Sequence, residues 1–217
     1  MKLIDECFLY GFIDTTYLNG RSCADLATCL CDNGVDLLQF RAKELESDSL
    51  FKLAEEIKSV TDRFDVPLVI NDHPDITSRI GAAFCHMGQE DLRLEEGIEG
   101  SAGRFRGAGG FQLGISTHSP EQATRSIDFG AAYLGVGPVY RTGTKPNAKP
   151  VTLDYVRWAS NHVTLPWFAI GGISLSNLDA VLDAGARRVC VVSAILNSPD
   201  PARACKSFKQ RLASFPT

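Results

Sequence analysis

No stretch of this 217-residue chain approaches the roughly 18 consecutive apolar residues that a membrane-spanning helix needs. The opening MKLIDECFLYGF is too acidic, and its apolar run too short, for a secretory leader. The expectation is a cytoplasmic chain without a membrane partner. Runs of lysine or arginine are missing as well: 22 basic against 26 acidic residues give a formal net charge of −4. That balance excludes a nucleic-acid or membrane-surface patch, so any anion site must be a local feature. The seven cysteines, at 7, 23, 29, 31, 85, 190 and 205, contain no Cys-x-x-Cys pair, and several lie in apolar runs such as FCHMG and RVCVV. They read as reduced core thiols, not as a disulfide frame or a zinc site. None of the histidines at 73, 86, 118 and 162 has metal-helix spacing or sits beside an evident nucleophile, and His86 reads as a strand residue with a structural hydrogen bond. The glycine-rich stretch 97–110 has neither the Gly-x-Gly-x-x-Gly spacing after a strand nor a Walker loop with Lys-Ser/Thr, and reads as a surface loop. No low-complexity linker or composition shift divides the chain, so residues 1–217 are expected to form one domain.

What is present is an alternation of short β-rich apolar runs with amphipathic stretches. Strands are predicted at 8–13, 35–41, 67–71, 83–87, 111–115, 132–136, 165–170 and 188–193. Helices are predicted over 22–33, 47–63, 74–80, 119–129, 152–161, 174–184 and 199–214, with a short one near 92–97. In the second, Leu50, Leu53, Ala54 and Ile57 form an i, i+3, i+4, i+7 stripe behind the capping candidates Ser47 and Asp48. Near-continuous apolar strands separated by helices imply a parallel sheet, and eight such units favour a closed α/β barrel of the (β/α)₈ (TIM) type over an open doubly wound sheet.

In such a barrel the chemistry collects in the loops that follow the strands. After the second strand, Gln39, Arg41 and Lys43 alternate and should share one face of an extended chain, aiming one amide and two cations at one place. The third strand ends in Asn71-Asp72 and the fourth is followed by Gly88-Gln89-Glu90-Asp91; hard oxygen ligands from adjacent strands suit Mg²⁺, although both acids could equally cap helices. Ser119-Pro120-Glu121 looks like a helix start, which leaves Ser116 for another task. Thr142-Gly143-Thr144-Lys145 offers two hydroxyls and an ammonium to a phosphate. Gly171-Gly172 and Val192-Ser193 end the last two strands, where this fold commonly binds phosphate.

The segments LLQFRAKE, VIND, HMGQED, LGISTH, GPVYRTGTK, AIGGI and VVSAI occur in the order and approximate spacing of the thiamin phosphate synthases, a family this chain closely resembles between residues 37 and 195. The resemblance implies a (β/α)₈ barrel that joins hydroxymethylpyrimidine diphosphate to a thiazole phosphate, releasing pyrophosphate with Mg²⁺ as cofactor. By matched position it implies that Gln39 contacts the pyrimidine, with Ser116 beside it. Phe40, Arg41, Ala42, Lys43, Asn71 and Lys145 then surround the diphosphate, and Arg41, Lys43, Ser116 and Lys145 carry the catalysis. Thr142, Gly143, Thr144, Gly172, Val192 and Ser193 would hold the thiazole phosphate, and Asp72 and Asp91 would ligate Mg²⁺. The implied partners are small phosphorylated substrates, with room for self-association. The chain departs from the family at FIDTTYL, where a Thr-Asp ending is common, and after Lys145, where PNAKPVTLDYV lacks a frequent glycine. Both departures fall outside the matched ligand positions and bear on loop detail. The alternatives are a thiazole tautomerase of the same superfamily, against which the intact Gln-Glu-Asp and Thr-x-Thr-Lys motifs speak, and a non-catalytic sensor of thiamin intermediates, against which the complete acidic pair Asp72 and Asp91 speaks.

Overall fold

The computed structural model describes residues 2–92, 110–142 and 149–215. Eight parallel strands close into a barrel in sequence order: β1 Leu9–Asp14, β2 Leu37–Arg41, β3 Leu68–Asn71, β4 Phe84–Met87, β5 Gln112–Thr117, β6 Tyr133–Val136, β7 Trp167–Ile170 and β8 Val189–Cys190. The eight predicted strands are all present. The described helices are α1 Cys23–Asp32, α2 Ser47–Arg63, α3 Pro74–Ile80, α4 Gln89–Leu92, α5 Pro120–Phe129, α6 Thr152–His162, α7 Leu178–Asp183, α8 Ser193–Leu196 and α9 Pro201–Ser214. No described helix is long and apolar enough to cross a membrane.

The helices form where the pattern and the caps agree. Ser22 and Ser119 accept from the backbone N–H groups of Asp25 and Gln122 at the starts of α1 and α5, and Pro120 occupies the first turn of α5. Leu50, Ala54 and Ile57 of the predicted stripe of α2 are buried, Leu53 lies at its margin, and Val60 extends it by a turn. The expected caps of α2 are corrected: the N-cap is Glu46, without a side-chain capping bond, and Ser47 is already helical. The last strand is shorter than predicted, because Val192 leaves the extended region and Ser193 opens α8. The helix expected near 92–97 lies almost wholly outside the described residues, and the short helix there, α4, precedes it.

Side chains alternate along each strand, so one set faces the helices and the other fills the barrel. The inner set is aromatic in its lower half. Tyr10 and Tyr133 both stand edge-on to Phe168, with ring centroids 5.1 and 5.6 Å apart, and Tyr133 meets Phe84 at 5.6 Å. Such T-shaped pairs add about 0.5–1.5 kcal/mol each to the burial of the rings. The base of the barrel is closed by Asp36, 1% exposed, whose carboxylate accepts from Lys2 Nζ at 2.5 Å, from Lys209 Nζ, and from the backbone N–H groups of Phe8 and Leu9 at 3.1 and 3.0 Å. All seven cysteines are free, as expected, and burial pushes the thiols of Cys7, Cys31, Cys85 and Cys205 up to about 12.

Candidate active site

Above the aromatic layer a cavity opens among the C-terminal ends of the strands. Gln39, Arg41, Asn71, Ser116, Thr142, Val192 and Ser193 line it, so seven of the predicted site residues from five different strand ends or loops meet there. Phe12, His86, His118, Pro138, Ile170 and Cys190 complete the wall. Gly143, Thr144 and Lys145 lie outside the described residues.

Register explains the convergence. Asp14 pairs with Arg41, Asn71 with His86, His86 with Gly114, and Ser116 with Gly135, so these inner-face residues form a tier at the top of neighbouring strands. Lys43 does not share the face of Gln39 and Arg41 as expected. The strand stops at Arg41, and Lys43 sits exposed in the following turn, where the period-two rule no longer applies. Phe40 is 1% and Ala42 5% exposed; neither side chain lines the cavity, since Phe40 points from the other face of β2.

Arg41 is not a bare cation. Its Nη1 donates to Asp14 Oδ2 at 2.6 Å, and Asp14, fully buried, also accepts from Thr16 N at 3.0 Å. The departure at FIDTTYL therefore bears directly on a predicted ligand, contrary to its reading as loop detail. A carboxylate that takes one N–H of the fork fixes the guanidinium and leaves the other donors for an anion.

Asp72 and Asp91 lie just beyond β3 and β4. Asn71 Nδ2 donates to Asp72 Oδ2 at 2.5 Å, and Gly88 N donates to Asp91 Oδ2 at 3.1 Å, so each carboxylate accepts from an N–H close by in the chain. Asp72 adopts φ +62°, a left-handed conformation rare outside glycine, while its N–H extends the ladder to His86 O at 3.0 Å. No group of three or more His, Cys, Asp or Glu side chains gathers to bind a metal among the described residues. Carboxylate oxygens are the donor type that suits Mg²⁺, which usually takes one or two and completes its shell with water and substrate phosphate, but neither Asp72 nor Asp91 lines the cavity.

Gly171 and Gly172 have φ +106° and +62°, and a Cβ on Gly172 would lie 2.5 Å from Arg141 O and 2.8 Å from Tyr140 Cβ. The pair lets β7 pass the β6 loop, which it holds through Tyr140 N–H donating to Gly171 O at 3.0 Å. Gly171, not Gly172, lines the cavity.

His86 is the hydrogen-bonded strand residue expected, and in addition it lies beside a hydroxyl that the sequence did not pair with any histidine: its Nε2 is 2.9 Å from Ser116 Oγ. Its Nδ1 is 3.0 Å from Tyr133 OH. Ser116 is held from behind by Gln89, 7% exposed, whose amide donates to Ser116 O at 2.7 Å and to Ser126 Oγ at 3.0 Å. His118 Nδ1 bonds to Gly137 O, which can only accept. Sequence reasoning missed Asp14 and His118 and underread His86. The one available signal was parity, since each lies an even number of residues from an inner-face position.

Residues 9–195 match the family model described as thiamine monophosphate synthase. A thiamine-phosphate synthase of Thermus thermophilus is 46% identical over 180 residues, 82% of this chain and 84% of that protein. One of Caldicellulosiruptor bescii is 34% identical over 216 residues, 99% of this chain and 96% of the relative. Among solved structures, a thiamine phosphate pyrophosphorylase from Pyrococcus furiosus superposes with a TM-score of 0.85 at 24% identity, covering 98% of both chains. A 3-hexulose-6-phosphate synthase, with a TM-score of 0.63 at 20% identity, covers 94% of this chain and 98% of that one and shares the barrel.

Proposed function

The chain belongs to the thiamine monophosphate synthase family, and from that premise we propose that it couples hydroxymethylpyrimidine diphosphate to hydroxyethylthiazole phosphate at the barrel mouth, with Mg²⁺, releasing pyrophosphate. Its relatives favour this over the tautomerase reading. The observation that carries the reading is the meeting of Gln39, Arg41, Asn71, Ser116, Thr142, Val192 and Ser193 around one cavity.

In this reading Gln39 and Ser116 hold the pyrimidine ring, while Arg41, braced by Asp14, faces the diphosphate with Asn71 and Lys145, and Lys43 stays outside in the turn. Asp72 and Asp91 hold Mg²⁺, which when bound supplies Lewis-acid stabilisation to the diphosphate oxygens. Thr142, Gly143, Thr144, Val192 and Ser193 hold the thiazole phosphate, and Gly172 shapes the loop beside it. The pyrimidine methylene–oxygen bond breaks first. The bonding pair leaves with pyrophosphate, and the thiazole nitrogen then attacks the methylene cation. Cationic side chains around the leaving group favour that order. Preorganised charge of this kind is commonly the largest catalytic term, about 2.7–4 kcal/mol per donor. The reaction belongs with the cytoplasmic small-molecule transferases.

The test is to incubate the purified protein with both substrates and Mg²⁺. Pyrophosphate and thiamin phosphate are expected in equal amounts, and neither should form when one substrate is omitted. Absence of pyrophosphate, or its release without the thiazole phosphate at an equal rate, would contradict the reading.

A further inference from the structure

A single hydrogen-bonded chain crosses the inside of the barrel, from Gln39 on β2 through Tyr10 on β1, Tyr133 on β6 and His86 on β4 to Ser116 on β5. Its two ends line the cavity. Its middle is sealed: Tyr10 and Tyr133 are 2% and 0% exposed. Burial pushes both phenols well above their ordinary range, so each keeps its proton and each has one hydrogen to donate.

The direction of the chain follows from counting donors. The Gln39 Nε2 amide donates to Tyr10 OH. Tyr10 OH, which accepts from Gln39, has no acceptor for its own hydrogen among the described residues other than Tyr133 OH, 2.9 Å away, and donates to it. Tyr133, having accepted, donates to His86 Nδ1 at 3.0 Å. A ring nitrogen that accepts carries no hydrogen, so the proton of the neutral imidazole is on Nε2, which donates to Ser116 Oγ at 2.9 Å. The chain therefore delivers two complementary groups to the cavity. Gln39 presents Oε1, an acceptor with no hydrogen bond among the described residues, and Ser116 keeps its own O–H hydrogen to donate.

Space has been cleared for this arrangement. A Cβ on Gly114 would collide with the Tyr133 ring at Cζ and the hydroxyl, so the missing side chain on β5 admits the phenol that links Tyr10 to His86. On the next strand a Cβ at Gly135 would lie 3.5 Å from His86 Cε1, an ordinary contact, so the clearance is specific to Gly114.

We propose that Tyr10, Tyr133 and His86 are positioning residues that set Gln39 as acceptor and Ser116 as donor, and so select a heteroaromatic ring carrying an N–H donor beside a ring-nitrogen acceptor. This rests on the reading that the pyrimidine binds between Gln39 and Ser116. An aminopyrimidine edge satisfies both groups. The oxo analogue, in which a carbonyl replaces the amine and the adjacent ring nitrogen bears hydrogen, presents acceptor to acceptor and donor to donor. The same polarity denies Ser116 a base, because Nε2–H cannot take the serine proton; the His86–Ser116 pair is a hydrogen-bond relay and not an activated nucleophile.

The experiment has two arms. Nitrogen-15 NMR of histidine-labelled unliganded protein, with His86 assigned by His86→Gln, should show Nε2 protonated and Nδ1 bare. A proton on Nδ1 reverses the chain and overturns the proposal whether or not the protein is a synthase. In the second arm Tyr133→Phe removes the central link but keeps the ring packed against Phe84 and Phe168. KM for the pyrimidine diphosphate should rise about tenfold, the scale of one lost hydrogen bond, with KM for the thiazole phosphate unchanged and discrimination against the oxopyrimidine reduced. Tyr10→Phe should act in the same direction. If wild-type protein makes pyrophosphate and both variants keep its KM and its discrimination, the positioning role is wrong. If wild-type protein makes none while the NMR result holds, the functional reading fails and the chain polarity stands.

Discussion

The two ends of the barrel handle polar groups in opposite ways. At the base, Asp36 accepts from two lysines and two backbone N–H groups, so its bonding capacity is filled by protein. At the mouth, Arg41 gives one donor to Asp14, and Gln39 and Ser116 each give one side of themselves to the internal chain, keeping the other for the cavity. Full satisfaction stabilises, and half satisfaction is what recognition requires. Active sites of this fold sit at the C-terminal ends of the strands, and the opposite face serves stability. Here the division can be followed atom by atom.

The hardest way to break the contrast is Arg41→Ala, which leaves Asp14 buried without its counter-charge. We expect a loss of about 3–5 kcal/mol of stability together with a fall of roughly 10²–10³ in turnover, measured by urea unfolding and pyrophosphate release. Mouth chemistry and mouth stability are coupled there, and a variant that keeps both would deny the brace its role. Asp91→Ala should come next, with turnover at limiting Mg²⁺ reduced by several kcal/mol of leaving-group stabilisation and the unfolding midpoint hardly moved. Turnover near wild type at limiting Mg²⁺ would remove Asp91 from the metal site.

Asp36→Ala probes the base. Two backbone N–H groups and two ammonium groups lose their acceptor, at a cost of about 3 kcal/mol, while turnover per folded molecule stays at the wild-type level. Burial alone would raise the Asp36 carboxyl, but Lys2, Lys209 and the N–H groups of Leu9 and Phe8 outweigh it and hold the pKa below the usual carboxylate value. A pKa depressed in the folded state gives stability that is complete above the unfolded value, near 4, and is lost as pH falls through the folded one. Urea midpoints between pH 7 and pH 3 should therefore decline less steeply for Asp36→Asn than for wild type. The most selective is Gly172→Val, which also strains the backbone, since a β-branched residue is placed at φ +62° with its Cβ 2.5 Å from Arg141 O. The branched side chain meets Tyr140 and Arg141, displacing the β6 loop, so affinity for the thiazole phosphate should fall much further than affinity for the diphosphate substrate. Equal losses in both would show that the loop does not belong to one substrate.

The fold was legible because its signals are local. Eight apolar runs, the serine and proline at the start of α5, and the stripe of α2 each announce themselves within a dozen residues. The site was legible where a motif ended a strand, as with Gln39, Asn71, Ser116 and Ser193. It failed where the answer depended on a partner far away in the chain. Asp14 matters through Arg41, 27 residues on, and His86 through Ser116 and Tyr133, 30 and 47 residues on. Lys43 failed for a different reason: alternation says which face a residue takes only while the strand lasts, and Lys43 lies beyond Arg41, where the strand was expected to end and does end.

That the mouth assists a departing diphosphate, and does not arm a nucleophile, is tested most directly by single-turnover pyrophosphate release with a trifluoromethyl group in place of the pyrimidine methyl. The substituent withdraws electrons from the methylene carbon. Bond cleavage ahead of attack predicts a rate lower by about 10²-fold or more, each tenfold being about 1.4 kcal/mol of barrier. An unchanged rate, with chemistry limiting, would contradict it.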